Sequence, residues 1–266
     1  MEPGESAYDA LRRELDEELG IDVTHATPWL TLSHNYPATQ IRLHCFLVDA
    51  WRGQPHPHEG QTLRWQSPRN IAVSPLLPAN LTLLRALRLP TTLGITPEHI
   101  DFESFLPQFD RALHKGLRFV QLRNPELSPH AAQTLITHAH AQNASVVINS
   151  AMPYADTLRA DGIHLTAAHL RSHRSRPPFA LVGASCHDTD ELDLAEALGC
   201  DYALLSPVLP TPTHPDAPHL GWKRFAELAQ NRSIPIYALG GMTPHLLPAA
   251  KEQGAHGIAL LRSAWQ

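Results

Sequence analysis

Residues 236–263 read IYALGGMTPHLLPAAKEQGAHGIALLRS. The two ends, IYALGG from Ile236 and GIALLR from Gly257, are short and nearly all apolar, and the stretch between them is long enough for a helix. A strand buried on both faces reads this way, as parallel strands under covering helices do. Working outward, the same rhythm recurs at TLGIT from Thr92, FVQLR from Phe119, SVVIN from Ser145, GIHLT from Gly162, ALVGAS from Ala180 and YALLSP from Tyr202. Eight such units in roughly 175 residues fit a compact (β/α)8 TIM barrel. The rival is a doubly wound open sheet, but no Gly-rich dinucleotide-type turn follows the first run. Gly240, Gly241 and Ser263, the last in the turn after GIALL, fall where a barrel commonly binds phosphate, beyond strands seven and eight. Backbone N–H groups of such a turn can cradle a phosphate. The plainer reading is a tight turn alone.

The first half has another rhythm. The alternation of QIRLHCFLVDAW over Gln40–Trp51 predicts a strand, GQPHPHEGQ a Gly/Pro-rich loop, TLRWQSP (Thr62–Pro68) a second short strand, and Ala79–Arg88 a helix. Pro90 breaks the pattern and serves as the linker, which divides the chain into residues 1–89 and 90–266. Near the start, Ser6 is an N-cap and Asp9 makes a weak capping box. Ala7, Leu11, Leu15 and Leu19 recur every four residues as the buried stripe, and Gly20 is the expected left-handed C-cap. Glu14, Glu17 and Glu18 share one face at i, i+3 and i+4. Like charges at those spacings cost a helix about 0.2–0.5 kcal/mol per pair. Arg13, four residues before Glu17, offsets part of that. A hard divalent cation would offset the rest, since it prefers carboxylate oxygens and substrate phosphates. The bland alternative is a solvated acidic face.

The totals exclude several classes. With 43% hydrophobic and 18% charged residues among 266, a folded globular protein is expected. A net charge of −5 and the lack of a basic, aromatic-interleaved patch argue against a nucleic-acid surface. Residues 172–178 (SHRSRPP) read as a polar loop between barrel strands four and five. No apolar run is long enough to span a bilayer, and Cys45, Cys186 and Cys200 lack ligand spacing, so a cytoplasmic protein with reduced thiols is expected. Of the eighteen histidines, His138 and His140 sit two apart on a predicted helix and point apart. His56 and His58 would share a face if their loop is extended, and could then share a metal.

The string Glu5, seven residues, then RELDEELGI resembles the Nudix signature at every position that it specifies through Ile21. The resemblance implies Mg2+-dependent (or Mn2+-dependent) hydrolysis of a nucleoside diphosphate linked to another group. Glu14, Glu17 and Glu18 would hold metal, Arg13 would orient the carboxylates and Glu5 would support them. The stretch from His34 to Pro68, followed by LLPANLTLLRAL, looks like the MutT-type 8-oxo-dGTP diphosphatases, nucleotide-pool sanitation enzymes that serve DNA repair. That likeness implies that Glu59 binds metal or activates water and that Asn80 reads the oxidised guanine. An amide offers the donor and acceptor that a purine edge needs. Taken alone, Asn80 is an N-cap candidate and Glu59 an exposed loop acid. A Nudix fold also carries strands ahead of its box and opens the box with glycines. Those positions would lie before Met1, so residues 1–89 are expected to form a partial Nudix α/β/α fold.

The second half resembles thiamine phosphate synthase and its TenI-like relatives in VQLRN, VVINS, ADGIHLT, VGASCHD, GCDYALLSPVLPTPTH, IPIYALGGM and GAHGIALLRS. Gln121, Arg123, Asn149, Ser185, Thr211, Thr213 and the glycine turn match the family. Where the synthase needs Lys, Asp, Asp and Lys, this chain has Pro125, Ser150, His169 and His214. Neutral side chains cannot take the place of Mg2+ ligands or neutralise a departing pyrophosphate. The expectation is therefore a Nudix hydrolase with a small-molecule nucleotide substrate and a degenerate barrel. The barrel would bind a phosphorylated, thiamine-related ligand at most. The alternative places synthase or TenI-like activity in the barrel, beside an inert Nudix half.

Overall fold

Ser6 and Gly20 bound the first helix, α1 (Ala7–Leu19), as their chemistry dictates. Ser6 Oγ accepts from the Asp9 backbone N–H at 3.1 Å, and Gly20 closes the helix in the left-handed region at φ 67°. The computed structural model describes residues 1–36, 39–211 and 218–266. After α1 come β1 (Asp22–Tyr36) and β2 (Thr39–Arg52), paired antiparallel in a two-stranded sheet, and then α2 (Pro78–Leu87). Leu11, Leu15 and Leu19 are only half-buried, and Ala10 is the one α1 residue fully enclosed. Periodicity identified the inward face, but a two-stranded sheet covers only part of it.

The strand expected over Thr62–Pro68 does not form. That segment is irregular apart from an isolated bridge from Ser67 to Asn70, and Trp65 stands 82% exposed. A strand needs an edge to pair with, and among the described residues this segment pairs at one bridge, with a residue three positions away.

The eight apolar runs are eight parallel strands: β3 (Thr92–Ile95), β4 (Phe119–Leu122), β5 (Ser145–Asn149), β6 (Gly162–Leu165), β7 (Leu181–Cys186), β8 (Tyr202–Leu205), β9 (Ile236–Ala238) and β10 (Gly257–Leu260). They close as a barrel in sequence order, with β10 hydrogen-bonded to β3. The covering helices are α3 (Phe102–His114), α4 (Pro129–Ala141), α5 (Ala167–Ser172), α6 (Thr189–Leu198), α7 (Gly221–Ala229) and α8 (Leu247–Glu252). The connection after β5 carries only a 3-10 turn, Ala155–Thr157, in place of the expected helix-length element. Alternation sorts each strand into two faces. Phe119, Val147, Tyr202 and Tyr237 fill the interior, while Val120, Leu122, Val146 and Ile148 pack under the helices.

The first half rests on the barrel through β1. Trp29 Nε1 donates to His256 Nδ1 at 3.2 Å, and the Thr31 N–H donates to the Arg232 carbonyl at 2.8 Å. Among the described residues no helix is long and apolar enough to cross a membrane. All three cysteines are unpaired. His138 and His140 point apart as expected, to Asp110 and Asp161 respectively.

Candidate functional site

The turn at Glu2–Glu5, closed by the Glu5 N–H donating to the Glu2 carbonyl, swings the Glu5 carboxylate back over α1. There the Glu2 N–H donates to Glu5 Oε2 at 2.8 Å. Arg13 gathers the acidic face. Its guanidinium donates to Glu5 Oε1 at 2.9 Å and Oε2 at 3.3 Å, to Glu14 Oε1 at 2.8 Å and to Glu17 Oε2 at 2.9 Å. The Arg13 bonds, then the Glu2 N–H, hold the Glu5 carboxyl below the usual carboxylate range. The same three carboxylates push the Arg13 guanidinium up. The Glu5 side chain is 13% exposed, against 49% for Glu14 and 60% for Glu17. Glu5 and Arg13 therefore form an inner layer, with Glu14 and Glu17 outside it.

The Gly/Pro-rich loop docks on the far end of α1, where the last carbonyls have no helical partner. The His56 N–H donates to the Leu19 carbonyl and the His58 N–H to the Glu18 carbonyl, each at 3.1 Å. Gln61 Nε2 donates to the Glu18 carbonyl at 3.2 Å, and Gln61 Oε1 accepts from the Glu59 N–H at 2.9 Å. This brings Glu59 beside the turn that carries Glu17 and Glu18. Sequence reasoning missed the docking, although one signal was available: the last turn of α1 has no basic residue to meet its carbonyls.

Asn80 lies inside the first turn of α2 and does not cap it. The N-cap is Leu77, with Pro78 opening the helix, so the N-cap reading of Asn80 is corrected. Its side chain makes no hydrogen bond to a described residue of α1. The carboxylate oxygens around Arg13 are the donors that Mg2+ or Mn2+ takes, so the residues fit such an ion in kind. A cation there would compete with Arg13 for the oxygens of Glu14 and Glu17. Among the described residues no three His, Cys, Asp or Glu side chains converge on one point.

The barrel offers a second site at the C-terminal ends of its strands. A cleft of about 770 Å³ is lined by Arg123, Pro207, Gly240, Gly241 and Ser263, among others. Gly240, at φ 95°, packs so closely that a Cβ would sit 2.8 Å from Pro207 Cβ. Ser263 Oγ donates to the Met242 carbonyl at 3.2 Å, which ties the two phosphate-site segments together. Gln121 points inward with Phe119, and its buried Oε1 has no partner among the described residues; neither does Arg123 Nε. Asn149 Oδ1 accepts from the Ala151 N–H, and Ser185 Oγ is 2.9 Å from His164 Nε2. Ser150 Oγ meets His169 Nδ1 at 2.7 Å, so the two positions that would carry metal carboxylates bond to each other. This neutral pair does not fit Mg2+. Thr213 and His214 lie outside the described residues.

Residues 92–264 match the family model described as thiamine monophosphate synthase, and residues 1–87 match the NUDIX domain model. A putative thiamine-phosphate synthase 2 of Aquifex aeolicus is 34% identical over 180 residues, covering 65% of this chain and 96% of that protein. A thiamine-phosphate synthase of Caldivirga maquilingensis is 30% identical over 182 residues, covering 66% of this chain and 89% of that protein. Among solved structures, thiamine phosphate pyrophosphorylase from Pyrococcus furiosus is similar at a TM-score of 0.53 and 22% identity, covering 64% of this chain and 85% of that one. This last likeness concerns the fold.

Proposed function

The chain belongs to the thiamine monophosphate synthase (TenI) family through residues 92–264, with a NUDIX domain over residues 1–87, and on that premise we propose that α1 carries a Nudix-type hydrolase site of the 8-oxo-dGTP diphosphatase kind. The observation that carries this reading is the grip of Arg13 on Glu5, Glu14 and Glu17. One helix face thereby holds several oriented carboxylates. Glu14, Glu17, Glu18 and Glu59 are the residues to hold Mg2+. When bound, the ion would neutralise polyphosphate charge and lower the pKa of a water. Glu59, on the loop docked at Glu18, accepts the proton of the attacking water. Asn80 supplies an amide donor and acceptor to the base. The products are the nucleoside monophosphate and pyrophosphate. The unpaired cysteines support a cytoplasmic setting.

The test is pyrophosphate release from 8-oxo-dGTP with Mg2+. Glu17→Gln should abolish most of it, and Glu59→Gln should lower it on the order of 10²-fold, as removal of a general base does. Equal release from the wild type and Glu17→Gln would sink the role of α1. In the barrel, the cleft at Gly240, Gly241 and Ser263 supports binding of a phosphorylated small molecule. Calorimetry with thiamine phosphate checks it: heat of binding is expected, and a silent titration overturns it.

A further inference from the structure

His56 and His58 are not used by the hydrolase reading, yet they are held in an unusual relation. Their Nε2 atoms face each other at 2.6 Å. His56 Nδ1 lies 3.1 Å from the Gln54 carbonyl and His58 Nδ1 lies 2.9 Å from the Glu17 carbonyl. A carbonyl oxygen only accepts, so each Nδ1 donates its proton there and each Nε2 is left to face the other. Two lone pairs at that separation repel unless something positive lies between them. A histidine that donates its Nδ1–H to a backbone carbonyl while Nε2 faces outward is also the usual arrangement of a metal-ligating imidazole.

The setting favours a cation. The rings lie over the C-terminal end of α1, the negative end of the helix dipole, and no basic side chain stands in its last turn. Gly20 makes the approach possible, since a Cβ there would stand 2.8 Å from His56 Cε1. Both histidines are exposed, so an ion reaches them from solvent.

The geometry points to His56 and His58 as a two-imidazole seat for a borderline divalent cation such as Zn2+ or Cu2+, separate from the carboxylate face of α1. Imidazole nitrogens select such ions, whereas Mg2+ keeps to oxygen. Zinc–nitrogen bonds of about 2.0–2.1 Å at a tetrahedral angle place the two nitrogens about 3.3 Å apart. The rings would open by less than 1 Å to admit the ion, with water completing its shell. This seat stands whether or not α1 hydrolyses nucleotides.

The experiment is calorimetric titration of the untagged full chain with ZnCl2, followed by the electron paramagnetic resonance spectrum of one added equivalent of Cu2+. The expected result has three parts. Zinc binding weakens at least about tenfold in His56→Ala and in His58→Ala. It is unmoved by His138→Ala, and it survives excess Mg2+. The copper spectrum, which requires no variant, should carry splitting from two nitrogens. Zinc binding that is absent, that persists unchanged in both variants or that is displaced by Mg2+ overturns the proposal. A copper spectrum without nitrogen splitting does the same, and leaves a shared proton as the occupant of the gap.

Discussion

Gly20 concentrates several demands on one backbone position. It ends α1 in the left-handed region, and its N–H donates to the Asp16 carbonyl at 2.9 Å. It also leaves room for the His56 and His58 rings. Gly20→Ala should therefore cost more than its conformational penalty of about 1–2 kcal/mol, because the new Cβ also pushes the loop off the helix end. Urea denaturation should give a lower midpoint with an unchanged slope. A midpoint equal to wild type would mean that the loop does not rest on α1. The chemistry of the α1 face was legible at this scale because it is local. Glu14, Glu17 and Glu18 share a face through spacing alone, and Arg13 reaches Glu17 within one turn. Asn80 was legible only as a residue type. Its place in the first turn of α2 follows from Pro78, which opens the helix one turn earlier than an Asn80 cap would.

The strand β1 joins two halves, and its register explains how. Pairing with β2 keeps one register from Ala26 opposite Val48 to Pro28 opposite Phe46, breaks, and resumes at Thr31 opposite His44. The irregularity frees the Thr31 N–H for the Arg232 carbonyl and turns Trp29 toward His256. His256 Nε2 in turn donates to the Leu89 carbonyl at 2.9 Å, which pins the linker as well. Burial, with Lys251 adding and the Leu89 bond opposing, lowers the His256 pKa to about 4. The unfolded histidine titrates near 6.5, so below that pH the unfolded chain takes up the proton first. Stability from this group is complete above about pH 6.5 and drains away as pH falls toward 4, by about 3 kcal/mol in all. The stability of wild type over His256→Asn, measured by urea melts at each pH, should shrink across that window and change little below it. A gap that is constant from pH 7 to 4 would refute the buried neutral histidine. Nothing local announced this junction, since Trp29 and His256 are 227 residues apart. The eight barrel strands were legible because burial on both faces writes itself as unbroken apolar runs. TLRWQSP had similar alternation without an edge to pair with, and stayed irregular.

At the scale of the whole molecule the two candidate sites face opposite ends of the barrel. Leu89, Arg232 and His256, which hold the first half, precede β3, β9 and β10, whereas Arg123, Gly240 and Ser263 follow β4, β9 and β10. The interior between them is filled by Leu93, Phe119, Tyr202 and Tyr237, so nothing passes through. The halves share a chain and an interface but not a substrate path. The activity of the mouth then depends on its own residues, and these are decisive at Ser150 and His169. Joining a pyrimidine diphosphate to a thiazole phosphate expels pyrophosphate, whose growing negative charge must be met in the transition state. Ser150 and His169 meet each other instead, at 2.7 Å, and Ser150 Oγ also accepts from the Thr166 N–H at 3.1 Å. A condensation assay of this chain should therefore show no thiamine phosphate above background, even where calorimetry detects binding at the cleft. The double substitution Ser150→Asp with His169→Asp supplies the missing carboxylates and should make pyrimidine diphosphate binding depend on Mg2+. Clear turnover by the wild-type chain would mean that charge neutralisation comes from elsewhere in the mouth, and the neutral pair would lose its meaning.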